Sequence, residues 1–217
     1  MLFPWKASVH IIGATPMIIH NGRTASPLDV YAKKMKTITS KRKKTEEDIR
    51  DLLEIQWEGA LYWDDAIGLH MPVENLLAAL LKAARKHKMG PQISGFIFEQ
   101  PVGFPILTNN HDNWDKLCAD ESNKFIKTVS IGGRSKTLSC RPIFNAWELK
   151  FEFFVDESVI TLDEIKTLIA TMASRVGLGV WTPSHPKPGN FGRFLIKELK
   201  FENSATKEKK IYANKDL

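Results

Sequence analysis

The sequence predicts an α+β fold, and three observations carry this prediction. Strand-like and helix-like segments follow one another in the order strand, helices, strands, helix, strand. Apolar and charged residues alternate from Trp147 to Phe153, as they do in a half-buried strand. Thr161 and Glu164 have the spacing of a capping box that opens an amphipathic helix.

The N-terminal segment predicts a bent strand, a turn and a helix. The strand is expected at residues 8–19, where Pro16 interrupts a run of aliphatic side chains. The sequence at residues 20–22, His-Asn-Gly, is a turn signal. A helix is then expected with Ser26 as its N-cap and Pro27 at its first position.

Two further helices and a hairpin follow. Thr45 is expected to cap the second helix, because three acidic residues come directly after it and an apolar face continues to Ala60. A hairpin is predicted around residues 64–65, where two aspartates are adjacent. The third helix is expected to start at Pro72 and to stop at the Gly-Pro pair of residues 90–91.

The C-terminal part predicts a strand, a crossover helix and a strand. The strands are expected at residues 147–155 and 194–201, and the helix between them at residues 161–176 with Gly177 as its C-cap. This pattern matches half of a ferredoxin-like β-α-β-β-α-β unit. Residues 205–217 are polar and Lys-rich, and we expect them to form a frayed tail.

The composition is that of a globular chain without an evident catalytic apparatus. Its 217 residues, 43% of them hydrophobic, are enough to bury a core without disulfides or metals. Cys118 and Cys140 lack metal-site spacing and are predicted to be reduced thiols of a cytoplasmic protein. No signal peptide or membrane span is indicated, so we expect no membrane partner. Nucleotide-loop, zinc-protease and serine-hydrolase motifs are missing, and the sequence predicts no cofactor and no metal.

Positive charge is clustered along the chain, whose formal net charge is +6. One cluster is the run of cations at residues 41–44, and another lies at residues 82–88 near the end of the third helix. The third cluster is the acid-free interval 122–147, which carries five cations around a hairpin turn at Gly132-Gly133. Cations of this kind bind phosphate backbones. The alternative explanations are a solvated loop for the first cluster, a favourable interaction with the helix dipole for the second, and chance for the third.

A Gly-rich loop follows the crossover helix. It runs from Gly177 to Phe194, and glycines allow a backbone to approach a ligand or another element closely. Trp181 and Phe191 offer stacking faces, and Arg193 offers a phosphate contact. The alternative interpretation is a tight helix-to-strand connection with packed aromatic residues.

Three segments, in order, resemble motifs of the RAMP superfamily, the repeat-associated proteins that form the RNA-binding backbone of CRISPR effector complexes. Residues 9–22 look like its opening strand and TPL-h-I-x-x-G turn, and residues 70–82 resemble its IPGSSLKGALR helix start. The sequence Phe-Gly-Arg-Phe at residues 191–194 is similar to the end of its G-x-GxGR loop. Residues 73–74 are Val-Glu where the family has Gly-Ser. The GLG-x-W-x-P…FGRF ending also looks like that of a phage- and prophage-associated family.

The resemblance implies a modified ferredoxin-like (RRM-like) core over residues 1–204. This core would carry a helical insertion after the first strand, at about residues 26–60, and a basic β-hairpin extension at about residues 122–145. It further implies a non-catalytic protein that binds single-stranded nucleic acid across the core, RNA favoured over single-stranded DNA. Copies would assemble head-to-tail along the strand, with other effector-complex subunits as further partners.

The residues expected to contact nucleic acid are cations of the basic clusters, residues of the Gly-rich loop and, by the resemblance, the first turn: His20, Asn21, Lys41, Arg42, Lys43, Lys44, Lys82, Arg85, Arg134, Lys136, Trp181 and Arg193. Two alternatives stay open. The first is a metal-dependent endoribonuclease of the same fold, for which Asp65, Asp64 and Asp29 are the candidate catalytic residues. The second is a phage interaction factor that mimics a backbone subunit.

Overall fold

The computed structural model describes residues 4–100, 102–131 and 135–213. Within these residues the strands are β1 (Trp5–Gly13), β2 (Met17–Ile18), β3 (Trp63–Asp64), β4 (Gly68–Pro72), β5 (Phe96–Ile97), β6 (Gly103–Leu107), β7 (Lys124–Ile131), β8 (Ser135–Phe144), β9 (Glu148–Val155), β10 (Phe194–Asn203) and β11 (Lys209–Tyr212). The helices are α1 (Val30–Thr39), α2 (Glu46–Ala60), α3 (Val73–Lys86), α4 (Trp114–Ala119) and α5 (Leu162–Thr171). The predicted α+β class is confirmed.

The main sheet has the strand order β11-β10-β1-β9-β6-β4-β3, and β5 also pairs with β9. β1 is antiparallel to both of its neighbours, β9 and β10. These two neighbours are therefore parallel to each other, and a chain that joins them must cross over, which it does through α5. The crossover predicted from the sequence is present.

The core lies on one face of this sheet. Every second residue of β1 from Trp5 to Ile11 is buried, and β9 buries Leu149, Phe151, Phe153 and Val155 in the same way. These side chains form one hydrophobic cluster with the apolar sides of α3 and α5. Full burial of a side chain such as Phe151 contributes roughly 2–3 kcal/mol. The alternation that marks the strands in the sequence is thus the alternation between core and solvent.

A second sheet, β2-β8-β7, contains the basic hairpin. β7 and β8 pair antiparallel as predicted, and the turn residues 132–134 lie outside the described part of the chain. α2 packs against this hairpin. Its Trp57 donates a hydrogen bond from Nε1 to the Asn123 carbonyl oxygen at 2.8 Å, and the Cys140 amide donates to Gln56 Oε1 at 2.9 Å. The helical insertion therefore supports the hairpin extension.

The structure corrects three details of the predicted helices. α1 begins at Val30, not after Ser26, because the Asp29 carboxylate accepts hydrogen bonds from the amides of the first turn. α3 ends at Lys86, four residues before the Gly-Pro stop signal, since the chain turns at Lys88 with φ +61°. α5 gives way at Thr171 to a short π-helical turn, although Gly177 ends the helical segment as predicted.

The tail is the fourth correction. Lys209–Tyr212 form β11, which pairs with β10, and the Tyr212 ring lies 6.2 Å from Phe201 between ring centroids. Tyr212 is partly buried against the core, and this packing holds the segment in a strand although its composition is polar. Both cysteines are free, and Cys140 is buried. Among the described residues there is no helix with the length and apolar character needed to span a membrane.

Candidate nucleic-acid interface

A cleft of about 130 Å³ opens between the end of β2, the exposed side of α3 and the loop that follows α5. We call it the glycine-loop cleft; its polar and backbone lining comes from His20, Tyr62, Asn75, Lys82, residues 177–180 and Thr182. The described residues that line it include no carboxylate. An ammonium group at the rim of a carboxylate-free cleft favours an anionic ligand.

α3 presents its part of the cleft through helical spacing. Asn75, Ala78, Ala79 and Lys82 line the cleft because residues three, four and seven apart share one side of a helix. The two alanines have short side chains, so they leave space between the longer ones. Neither the Asn75 amide nor the Lys82 ammonium has a hydrogen-bond or ion-pair partner among the described side chains.

The Gly-rich loop is held against β2 by its backbone. The Val180 amide donates to the Ile18 carbonyl oxygen at 2.8 Å. Gly179 has φ +89°, and a Cβ there would lie 2.2 Å from that same oxygen. Only glycine fits this position, for both conformational and steric reasons. The loop is thus a tight connection between helix and strand, and its packed backbone forms one wall of the cleft.

The hairpin approaches the cleft through Arg141. Pairing of β2 with β8 continues to a hydrogen bond from the Ile19 amide to the Pro142 carbonyl oxygen, and this brings His20 beside Arg141. The Arg141 guanidinium donates a hydrogen bond to His20 Nδ1. A guanidinium has no acceptor atom, so Nδ1 is the acceptor and the neutral ring carries its proton on Nε2.

The electrostatics of this pair are unusual for a basic protein. Burial, and secondarily the positive charge of Arg141, lowers the pKa of His20 from 6.5 to about 4. Burial also lowers the pKa of Arg141. Within the described residues the half-buried guanidinium has no carboxylate as an ion-pair partner. A desolvated charge without a counter-charge is costly, and binding an anion relieves that cost.

Aromatic side chains join the hairpin to the Gly-rich loop. Phe125 lies 5.8 Å from both Trp181 and Phe191, measured between ring centroids. The Lys127 ammonium lies 5.3 Å from the Trp181 ring centroid. Phe125 and Lys127 are two residues apart on β7, and Arg141 is the cross-strand partner of Phe125, so all three share one face of the hairpin. We call this surface, with Trp181 and Phe191, the hairpin face.

Some of the predicted contact residues come together here and others do not. His20 and Lys82 line the glycine-loop cleft, and Trp181 belongs to the hairpin face. Asn21 is engaged in structure, because its amide nitrogen donates to the Leu61 carbonyl oxygen at 3.1 Å and its Oδ1 caps the following turn. Arg85 is exposed one turn beyond Lys82 on α3.

The other predicted cations with described positions belong to neither surface as defined above. Lys136 is exposed on β8, and Arg134 lies outside the described residues. The run Lys41, Arg42, Lys43, Lys44 is an exposed loop between α1 and α2; in it Lys41 pairs with Asp48, and Lys44 donates to the Lys41 carbonyl oxygen.

Arg193 is used to fasten the Gly-rich loop. Its guanidinium donates hydrogen bonds to the Ser174 carbonyl oxygen and to Asn190 Oδ1. These bonds tie the end of the loop to the π-helical turn that precedes it. In this geometry the Arg193 side chain stabilises the loop.

The three candidate aspartates have structural partners. Asp29 caps α1 and pairs with Arg23 at 2.8 Å. Asp64 accepts a hydrogen bond from the Ala66 amide within the β3–β4 turn, and Asp65 accepts one from Trp63 Nε1 at 3.2 Å. The described residues contain no group of three side chains placed to hold a metal ion.

Several residues of the site were not selected from the sequence. Arg141 and Lys127 were recognisable only as members of the acid-free interval. Asn75 and Tyr62 belong to no motif or charge cluster in the sequence. Asn75 does precede Lys82 by seven residues, a spacing that places both on one side of a helix. The Tyr62 hydroxyl donates to the His20 carbonyl oxygen at 3.0 Å and so fixes the backbone beside the cleft.

The chain was also compared with known proteins. No protein-family model matches it, and a search of curated proteins finds no match either. Functional conclusions therefore rest on the geometry and charge of the surfaces described above.

Proposed function

We propose that this protein is a non-catalytic, RAMP-like protein that binds single-stranded nucleic acid, RNA in preference to DNA, along the hairpin face and the glycine-loop cleft. The observation that carries the proposal is the half-buried Arg141 guanidinium, which has no carboxylate partner among the described residues and lies beside a cleft without carboxylates. A phosphodiester supplies the missing negative charge.

The mixture of side chains favours a single strand over a duplex. Cations track the phosphates of an extended strand, and aromatic rings stack on its unpaired bases. The hairpin face combines both kinds of group, with Lys127 and Arg141 beside Trp181 and Phe191. Little base preference is expected, because neither phosphate contacts nor stacking read base edges.

The strand order supports a modified ferredoxin-like core. β9–α5–β10 is a split β-α-β unit with β1 between its strands. β1 and β6 are both antiparallel to β9, and the chain between them contains α3, so they form a second split unit interleaved with the first. Two interleaved split units are the ferredoxin-like arrangement. The resemblance implies that the nucleic-acid strand crosses this core, whereas the distribution of charge favours the hairpin face.

Head-to-tail assembly is the second part of the proposal. Large apolar side chains are exposed on separate elements, among them Leu28 and Val30 at the start of α1 and Ile211 on β11. Contact between two different patches is heterologous, and heterologous contacts that do not close give filaments. A bound strand would align successive copies.

The test is fluorescence anisotropy of labelled oligouridine and oligodeoxythymidine with the full chain, at several salt concentrations. We expect binding that weakens steeply with salt, and a slope that falls by about one when Arg141 is replaced by Gln. Lys150→Gln, at an exposed position of β9 outside both surfaces, is the matched charge control and should bind like the parent. Thermal unfolding confirms that the variants fold.

Size-exclusion chromatography with absorbance at two wavelengths completes the test. A large nuclease-sensitive species supports assembly on a strand, and the nuclease that dissolves it identifies the nucleic acid. A nucleic-acid-free monomer that binds neither oligonucleotide at low salt contradicts the proposal and favours a protein partner instead.

A further inference from the structure

The glycine-loop cleft is rich in hydrogen-bond donors that are not used within the protein. The Lys82 ammonium can only donate, and the Asn75 amide supplies two N–H groups. The third donor group is the Nε2–H of His20, because Arg141 donates to Nδ1 and the ring proton is therefore on Nε2. The lining side chains that could accept strongly are few, and none of those described is a carboxylate.

We propose that this cleft is a discrete binding site for a phosphoryl group, held by Lys82, Asn75 and the Nε2–H of His20. Arg141 acts as a positioning residue there: it fixes the His20 tautomer and adds positive charge behind the ring. The proposal deepens the proposed function, because a nucleic-acid strand is the expected source of the phosphoryl group, but the site itself is defined by its donors.

The size and walls of the cleft fit such a group. A volume of about 130 Å³ accommodates a tetrahedral oxyanion with a few waters, since one water needs roughly 10–15 Å³ on this scale. The side chains of Ala78 and Ala79 leave the space open between Asn75 and Lys82. The exposed backbone at Gly179 lies at the same cleft, where no side chain obstructs an approaching ligand.

The tautomer of His20 makes the site selective for acceptors. A His ring that is free to change tautomer can present an acceptor or a donor, whereas a ring held by a guanidinium presents a donor only. Because the pKa of His20 is near 4, the ring stays neutral at pH 6–8 and donates without carrying charge. Lys82 therefore contributes the positive charge at the rim of the cleft, and His20 contributes an uncharged hydrogen-bond donor of fixed orientation.

Isothermal titration of the full chain with inorganic phosphate tests the site without any oligonucleotide. We expect saturable binding at one site, weakened about tenfold or more in Lys82→Gln, because a charge-assisted hydrogen bond is lost. Lys86→Gln removes the same charge one turn further along α3 and should bind phosphate like the parent protein. Equal affinities for Lys82→Gln and the parent overturn the proposal, as does the lack of saturable phosphate binding.

A spectroscopic measurement tests the role of Arg141. Nitrogen-correlated NMR of the His20 ring should show the Nε2–H tautomer in the parent protein and a mixture of tautomers in Arg141→Met, which has no donor for Nδ1. Rescue of the parental spectrum by Arg141→Lys would support positioning by a donor at Nδ1. A parent ring that carries its proton on Nδ1 overturns the assignment.

Two oligonucleotide arms identify the source of the phosphoryl group. Oligouridines with and without a 5′-phosphate are compared: tighter binding of the phosphorylated strand, lost in Lys82→Gln, assigns the cleft to a strand end. Equal binding of both, weakened by Lys82→Gln, assigns it to an internal phosphodiester. If phosphate binds but neither oligonucleotide does, the phosphoryl site is supported and the proposed function is contradicted. If the oligonucleotides bind but phosphate does not, the proposed function is supported and the phosphoryl site is contradicted.

Discussion

Two surfaces of this protein carry cations and yet differ in how those charges are paired. The open face of the main sheet, formed by the outward side chains of β1, β9 and β10, pairs several of its cations with carboxylates. Lys6 contacts Glu152 at 2.7 Å, and Lys200 contacts Glu202 at 2.7 Å. On the hairpin face, Arg141 has no such partner among the described residues. We therefore expect positive charge to attract a ligand most strongly where it is half-buried and left without a counter-charge.

The difference has a simple physical origin. Neighbours within and between the strands place carboxylates and ammonium groups at contact distance, and exposed pairs of this kind are nearly neutral in energy. The hairpin instead brings Arg141 toward a loop of glycines and aromatic residues, which cannot neutralise it. A phosphate approaching the sheet face meets the carboxylates of Glu148, Glu152 and Glu198, whereas one approaching the hairpin face meets donors.

The largest expected effect comes from charge reversal on the hairpin face and in the glycine-loop cleft together. The double variant Lys127→Glu with Lys82→Glu should weaken oligouridine binding by about a hundredfold or more at low salt, since two attractive contacts become repulsive. Reversal of Lys6 and Lys150 on the open sheet face, with the same net charge change, should weaken it by about threefold at most. Equal losses in the two double variants, measured by anisotropy, would show that only net charge matters.

The next effect concerns the wall of the cleft. Gly179→Ala places a Cβ 2.2 Å from the Ile18 carbonyl oxygen at φ +89°, so we expect a loss of about 2–4 kcal/mol in the free energy of unfolding. Gly90→Ala is the matched control, because no atom lies within 4 Å of the new methyl group. Denaturant unfolding measures both. A Gly179→Ala protein as stable as the control would mean that the loop can rearrange.

A smaller effect is expected from pH. The native pKa of His20, about 4, is below its ordinary value of 6.5, so the unfolded chain binds more protons between these values. Stability should therefore be constant above pH 6.5 and fall as pH decreases toward 4, by on the order of 1–2 kcal/mol after allowance for partial exposure. His20→Gln should remove this part of the pH dependence. An unchanged profile in urea unfolding contradicts the burial-driven shift.

The smallest effect is expected in the loop between α1 and α2. Replacing Arg42 and Lys43 with Gln should change strand affinity by less than about threefold, because exposed cations on a solvated loop are screened by salt and have no desolvation cost for an anion to relieve. The measurement is the same anisotropy titration. A loss comparable with that of the hairpin-face variant would extend the interface to this loop.

Much of the local structure was predictable from the sequence. Thr45 and Thr161 both form capping boxes, at the helix starts that their acidic neighbours indicated. The β7–β8 hairpin and the strand β9 lie where alternation placed them. The start of α1 was missed because the sequence offers two candidate starts, one at Pro27 and one after Asp29. The Asp29 carboxylate accepts hydrogen bonds from the Tyr31 amide and from Arg23, and these bonds favour the later start.

The charge pattern was more misleading than the helix pattern. Lys124 belongs to the interval without acidic residues, yet its ammonium contacts Glu54 at 2.6 Å and Glu121 at 2.8 Å. Glu54 is 70 residues away along the chain, on a helix that packs against the hairpin. An interval free of acids in the sequence is therefore not free of acids in space.

The sequence by itself determined the α+β class, the crossover helix between β9 and β10, the hairpin and the presence of a glycine-dependent loop, because these depend on neighbours within a few residues. Only the tertiary structure decided which cations lack counter-charges. His20 and Arg141 are 121 residues apart and meet through the register of β2 on β8. Such a contact depends on how two sheets and a loop are assembled, and that information is not contained in any local pattern.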